Sequence, residues 1–269
     1  SFDRQRGLAL GLTLTGTGVC AMLAPAYAVW LTGQFGWRGA YVGIGLLPLL
    51  LAGPIVWYGF RPAEVAARNP DAGLTASSQP WGLTLGEAIR GYRFWVLSLS
   101  ILAVYMAVSG ISPNLIAALT DKGFTAASAA TVQGAYGFSI IVGRLVVGYL
   151  VDRFWAPGVA LVSLSLPVAG CLVLTGSDPT FVSAVLAALL IGFAAGAELD
   201  LMAFFAARYF GLRHYAKIYS ILYALLAFGS GTAPMLFAKV YDVTASYDIS
   251  FYIAAAMFLF GAAILPSLG

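Results

Sequence analysis

Charge is scarce in this sequence. Only 9% of its 269 residues are Asp, Glu, Lys or Arg, against about a quarter in a soluble domain. With 61% hydrophobic residues, the chain has too little polar surface for a water-facing globule, so a lipid bilayer must be its solvent. Histidine occurs once, as His214 in a basic turn, which reads as a solvated loop residue. Cysteine occurs twice, and Cys20 and Cys171 both lie in apolar runs, as packing residues rather than a disulfide. No metal-ligand spacing, Gly-x-Ser-x-Gly or Walker-type loop is present. Soluble catalysis, a metal, a cofactor and nucleotide-driven pumping are therefore not expected, and the chain reads as no enzyme. The formal charge of +3 comes with no basic run, so nucleic acid is not an expected partner.

What the chain has instead is long apolar runs. A helix that crosses a bilayer needs about 20 mostly apolar residues. Eight segments qualify, at 7–33, 39–60, 94–120, 128–151, 157–176, 180–207, 217–241 and 249–268. Between the first two lies only Gln34-Phe-Gly-Trp-Arg38, which predicts a tight hairpin turning at Gly36. Residues 61–92 interrupt the pattern with three prolines, a serine pair and scattered charge, and read as the one linker. Within it, Leu83 to Tyr92 predicts a short amphipathic helix lying at the interface. The sequence opens on Ser1 and runs almost directly into an apolar helix, as the middle of a longer protein would.

Lys and Arg favour the cytoplasmic side of membrane proteins. With a cytoplasmic N-terminus, ten basic residues fall inside and Arg38, Lys122 and Lys239 fall outside. Both ends are then cytoplasmic, as an even number of spans requires. The remaining basic residue, Arg144, lies deep within the fourth span. A charge there costs roughly 2.5–3.5 kcal/mol on insertion scales and is expected to have a partner or a task.

At about 100° per residue, Gln133 and Gly137 share a face with Arg144, and Tyr136 flanks it. This polar stripe suits an anion-binding residue facing an aqueous cavity; the alternative is an arginine that snorkels or is permanently paired with an acid. The third span carries Ser98, Tyr105, Ser109 and Ser112 on one face, then Pro113 and Asn114. The seventh shows a similar face of Tyr219, Tyr223 and Ser230. Three helices with one polar face each suggest a bundle around a shared cavity. The sixth span holds Glu198 and Asp200, which point to opposite faces because two residues amount to about 200°. Asp200 shares its side with Gly192 and Gly196, a small-xxx-small surface suited to close packing. Either acid suits a structural relay with nearby arginines or a proton-coupling role.

These residues resemble a known family. Gly148-Tyr-Leu-Val-Asp152-Arg153 is similar to the second-half copy of the Gly-x-Leu-x-Asp-Arg motif of major facilitators, between their eighth and ninth helices. The opening RQRGLALGLTLTGTG, with Pro25 and Gly36-Trp-Arg-Gly-Ala40, resembles their fifth helix and its hairpin to the sixth. More narrowly, GAELDLMAFFAARYFGLRHYAKIYSILYA and the segment from Pro234 to Tyr247 resemble the bacterial monocarboxylate-transporter-like and oxalate/formate antiporter branch.

The resemblance implies an all-α membrane protein with a major-facilitator-type helical bundle. Residues 1–60 would be the last two helices of the N-terminal bundle, 61–92 the cytoplasmic linker and 93–269 the complete six-helix C-terminal bundle. The first four helices would be missing, and they would be needed to complete the transporter. It further implies a secondary transporter in a bacterial-type plasma membrane, working by alternating access on small organic anions, a monocarboxylate above all, with proton coupling. Arg144 would grip the substrate carboxylate, with Gln133, Tyr136, Tyr105, Ser109, Asn114, Tyr219 and Tyr223 lining the site. Gly148, Asp152 and Arg153 would form a gating latch. Where animal relatives place an aspartate one turn before the arginine, Ile140 stands here, which leaves Glu198 or Asp200 to couple protons. Two alternatives stay open: a facilitator for another metabolite or drug with Arg144 structural, and a non-transporting membrane receptor or scaffold.

Overall fold

The computed structural model describes residues 6–59, 81–176 and 179–268. Most of the linker, including its prolines and basic residues Arg61 and Arg68, lies outside them. Among the described residues, seven helices are long and apolar enough to cross a membrane. The first, α1 (Arg6–Gly59), contains both expected opening spans, and its backbone leaves helical geometry at Gly36, where φ is 66°. That conformation disfavours any residue with a β-carbon. A β-carbon on Gly43 would meet the Leu31 side chain, although a straight helix would hold positions 31 and 43 about 18 Å apart. The chain therefore doubles back, and α1 is the predicted hairpin.

The expected short helix is α2 (Leu85–Arg90), opened by a capping box in which Thr84 and Glu87 satisfy each other's backbone N–H groups. Six helices follow: α3 (Tyr92–Asp121), α4 (Ala126–Arg153), α5 (Ala156–Leu174), α6 (Phe181–Phe210), α7 (Tyr215–Thr244) and α8 (Asp248–Ile264). Thr125 caps α4 and Thr180 caps α6, each accepting at 3.2 Å from an amide three residues on. In the bundle α4 packs on α6 and α1, α5 on α6 and α8, and α3 on α7 and α8. Large apolar side chains such as Leu99, Phe138, Val162, Leu186 and Phe228 point outward from it. Surface of that kind suits acyl chains and would be a liability in water. Trp81, Tyr92, Trp95, Tyr149 and Trp155 are exposed around one end, as in an interfacial aromatic belt.

Each end of the bundle is tied. At one, Leu83 N–H donates to the Phe210 carbonyl at 2.8 Å and Leu212 N–H to the Trp81 carbonyl at 2.9 Å. This strap holds the start of α3 to the α6–α7 turn. At the other, Lys122 Nζ reaches Asp248 Oδ1 at 2.7 Å and the Gly176 carbonyl at 3.0 Å. That clamp joins three loops. Of the two cysteines, Cys171 is buried in the core and Cys20 is exposed on α1.

Candidate functional site

The site begins with glycine. A β-carbon on Gly192 would strike the Tyr136 carbonyl, one on Gly196 the Ile140 carbonyl and one on Gly143 the Phe193 carbonyl. The backbones of α4 and α6 therefore touch, and Ser139 Oγ donates across the seam to the Leu189 carbonyl. One turn past Gly196 on the same face is Asp200. The close approach carries its Oδ2 to 3.3 Å from Arg144 Nε. Arg144 is only 3% exposed, so this is a charge pair within the bundle.

Glu198 points the other way, as its spacing requires. It is 4% exposed, and its Oε2 has no hydrogen-bond partner among the described residues. Arg144 also lies within electrostatic reach of it. So do the phenols of Tyr105 from α3 and Tyr136 from α4. Ser112 sits beside the Tyr136 hydroxyl and Ser230 of α7 beside that of Tyr105, with Tyr223 within electrostatic reach of the latter. The polar faces of α3 and α4 thus meet around an acid of α6, with that of α7 against Tyr105.

Other candidates are placed less centrally. Pro113 leaves the Ser109 carbonyl without its helical donor. Nearby, Ser109 Oγ donates to the Tyr105 carbonyl at 2.7 Å and Asn114 Nδ2 to the Gly110 carbonyl at 2.8 Å. Both residues spend a donor on α3 itself. Gln133 is buried, and its Oε1 has no hydrogen-bond partner among the described residues. It stands about 16 Å along α4 from Arg144. Arg153 donates to the Tyr149 hydroxyl at 2.9 Å, and Asp152 is exposed.

Asp200 opens onto a cavity of about 390 Å3 between α4, α6 and the α6–α7 turn. Gly148 and Asp152 border it, so the Gly-x-Leu-x-Asp-Arg segment and the arginine pair share one space. Its remaining wall is apolar, with Val147, Val151, Leu201, Phe204, Leu212 and Tyr215 among its residues. Tyr215 begins a ladder up α7: its ring stacks on Tyr219 at 5.4 Å, and Tyr219 on Tyr223 at 6.3 Å. Tyr219 is in turn within electrostatic reach of Asp200. Sequence reasoning named the upper two tyrosines and missed Tyr215, although the four-residue spacing was there to extend. Phe204 carried no such signal. Among the described residues no cluster of acids, cysteines or histidines suited to a metal ion occurs.

Comparison with known proteins bears on this arrangement. Residues 1–234 match the Major Facilitator Superfamily. Human monocarboxylate transporter 11 is 29% identical over 293 residues, covering 100% of this chain and 59% of that protein. Monocarboxylate transporter 13 of Rattus norvegicus is 26% identical over 271 residues, covering 99% and 60%. A gallate transporter of Pseudomonas putida is 27% identical over 179 residues, covering 56% and 39%. The chain thus spans about three-fifths of the length of the first two relatives. A solved bacterial homolog of the human lysosomal transporter Spinster aligns over 98% of this chain and 63% of that one, at 18% identity and a TM-score of 0.49. With the family matched over most of its length, this all-helical, multi-pass membrane chain belongs to the Major Facilitator Superfamily.

Proposed function

We propose that the chain is part of a secondary transporter of small organic anions, principally monocarboxylates, working by alternating access with proton coupling. Residues 1–60 close one bundle, 61–92 link, and 93–269 form the second bundle, which rocks against the first around a site near the midplane. We place it in the plasma membrane, and the basic-residue count supports an orientation with both ends of this chain cytoplasmic. The relatives' names, monocarboxylate and gallate transporters, have a carboxylate in common.

One observation carries the reading. A buried guanidinium is held 3.3 Å from a carboxylate that itself borders a cavity. Asp200 occupies the position a substrate carboxylate would take, and the planar fork of Arg144 suits either occupant. Charge balance supplies a reason for proton coupling. One arginine faces two acids, Glu198 and Asp200, so with all three ionised a buried negative charge is left over. A single proton removes it, and a substrate anion that displaces Asp200 makes that proton necessary.

The test is uptake of labelled lactate and pyruvate into proteoliposomes of the full-length protein, with and without a pH gradient. Arg144→Lys replaces the fork by a point charge, at an expected cost of roughly 2 kcal/mol or about thirtyfold in uptake. Unimpaired uptake by that variant would falsify the binding role. The same pair also supports a second reading, in which Asp200 holds Arg144 permanently and the charge is structural.

A further inference from the structure

The cavity beside Asp200 is poorly matched to a small hydroxy acid. Its volume of about 390 Å3 falls in the usual range for drug-sized ligands, roughly 300–1,000 Å3. A three-carbon acid would fill little of it. Apart from the two carboxylates and the Tyr215 hydroxyl, its wall among the described residues is apolar, and it gives a substrate hydroxyl few partners. Two aromatic rings contribute to that wall, Phe204 from α6 and Tyr215 from α7. From Tyr215 the stacked ladder runs on to Tyr219, which lies near Asp200. Aromatic surface therefore runs from the cavity wall to the cation's counter-ion.

We propose that this site selects ring-bearing monocarboxylates, with the ring against Phe204 and Tyr215 and the carboxylate replacing that of Asp200 on Arg144. The inference rests on the carboxylate reading above and adds its specificity. Rings pack against rings in offset or edge-on geometry, and the gain comes on top of the buried area. An aliphatic acid of equal charge lacks that gain. Asp152 also borders the cavity, but it is exposed, so solvent and salt screen its repulsion.

Binding to the purified full-length protein at neutral pH is the suitable measurement, because protonated aromatic acids cross bilayers unaided. Labelled benzoate is competed with unlabelled benzoate, cyclohexanecarboxylate and lactate. Benzoate is expected to bind about tenfold more tightly than lactate, with cyclohexanecarboxylate between them. Tyr215→Leu should shrink the benzoate preference about fivefold, and Tyr215→Phe should retain it. Equal affinities for benzoate and lactate, with Arg144→Lys weakening both, would overturn the ring preference and leave the carboxylate reading standing. A preference unaffected by Tyr215→Leu would also overturn it. Failure of every acid to bind, or binding indifferent to Arg144→Lys, would sink both.

Discussion

Arg144 and Asp200 constrain one another, and removing either has consequences that separate the two roles proposed for them. In a permanent structural pair, Asp200→Asn removes the carboxylate that Arg144 touches, and breaking a buried pair by losing one partner typically costs about 3–5 kcal/mol. The protein should then lose several degrees of thermal stability in detergent and bind nothing. If Asp200 instead occupies a substrate's place, the same variant opens that place on Arg144 to an external carboxylate. Affinity for a monocarboxylate should rise severalfold, and added substrate should restore the lost stability by mass action. A thermal-shift titration distinguishes the outcomes, and a destabilised variant that no carboxylate rescues would favour the structural role. Glu198 makes a different prediction. It is the acid on which Tyr105 and Tyr136 converge, and its Oε2 has no hydrogen-bond partner among the described residues. An oxygen so placed is expensive unless a proton visits it. Glu198→Gln should abolish accumulation driven by a pH gradient while sparing exchange of labelled for unlabelled substrate. Unchanged accumulation removes Glu198 from the coupling step. Much of this was legible in the sequence, because helical geometry turns spacing into direction. Asp200 follows Gly192 and Gly196 at four-residue intervals, so it had to share their packing face. The sequence left open which helix that face would meet, since glycines record a close approach without recording the partner.

At the scale of the element, the strap before α3 shows the same division. The short amphipathic helix expected over Leu83 to Tyr92 is a local signal and was readable. The docking of that helix was not, since Gly82 and Gly211 are far apart in sequence and neither belongs to a repeating pattern. Both are nonetheless demanding positions: a β-carbon on Gly82 would press on the Arg213 backbone nitrogen, and Gly211 has φ 72° with the Trp81 carbonyl against it. Glu87 adds a pH dependence outside the membrane-spanning helices. The Thr84 backbone amide and then its hydroxyl hold the Glu87 carboxyl below its ordinary value of 4.5, with help from Arg213 and His214. A depressed folded value means that the contribution is fully present above 4.5 and is lost as pH falls through the lower folded value. Hydrogen-exchange protection at the Ala88 and Gly91 amides should therefore hold steady between about pH 5 and pH 7 and decline below that window. Glu87→Gln should give lower protection with no such decline. Equal pH profiles for the two proteins would show that the carboxylate does not hold the helix start.

For the whole molecule, the question is which parts move together. Alternating access by rocking bundles needs each bundle to behave as a rigid body and the seam between them to slide. The bundle of α3 to α8 is built for rigidity. Its α4–α6 backbones touch through glycine, and its two ends are tied by the Trp81–Leu83 strap and the Lys122–Asp248 clamp. The contact between α1 and α4 is also extensive, but at Gly134 it is looser than the α4–α6 seam. The Met22 carbonyl lies at ordinary van der Waals distance from the place a β-carbon on Gly134 would occupy, and packing of that sort permits sliding. These two contacts should respond oppositely to cross-linking in the full-length protein. With Cys20 first changed to serine, cysteines at Lys122 and Asp248 are bridged in one variant by a short bis-maleimide, and cysteines at Met22 and Gly134 in another. The clamp itself contributes little energy, since a partly exposed ion pair is worth about 1 kcal/mol at most, so its loss is tolerable. Bridging it should leave uptake within about twofold, because it joins parts that already move as one. Bridging Met22 to Gly134 should reduce uptake by about tenfold or more, with reversal when a cleavable linker is cut. If the clamp bridge blocks uptake and the seam bridge does not, the moving boundary lies inside the six-helix bundle rather than between α1 and α4.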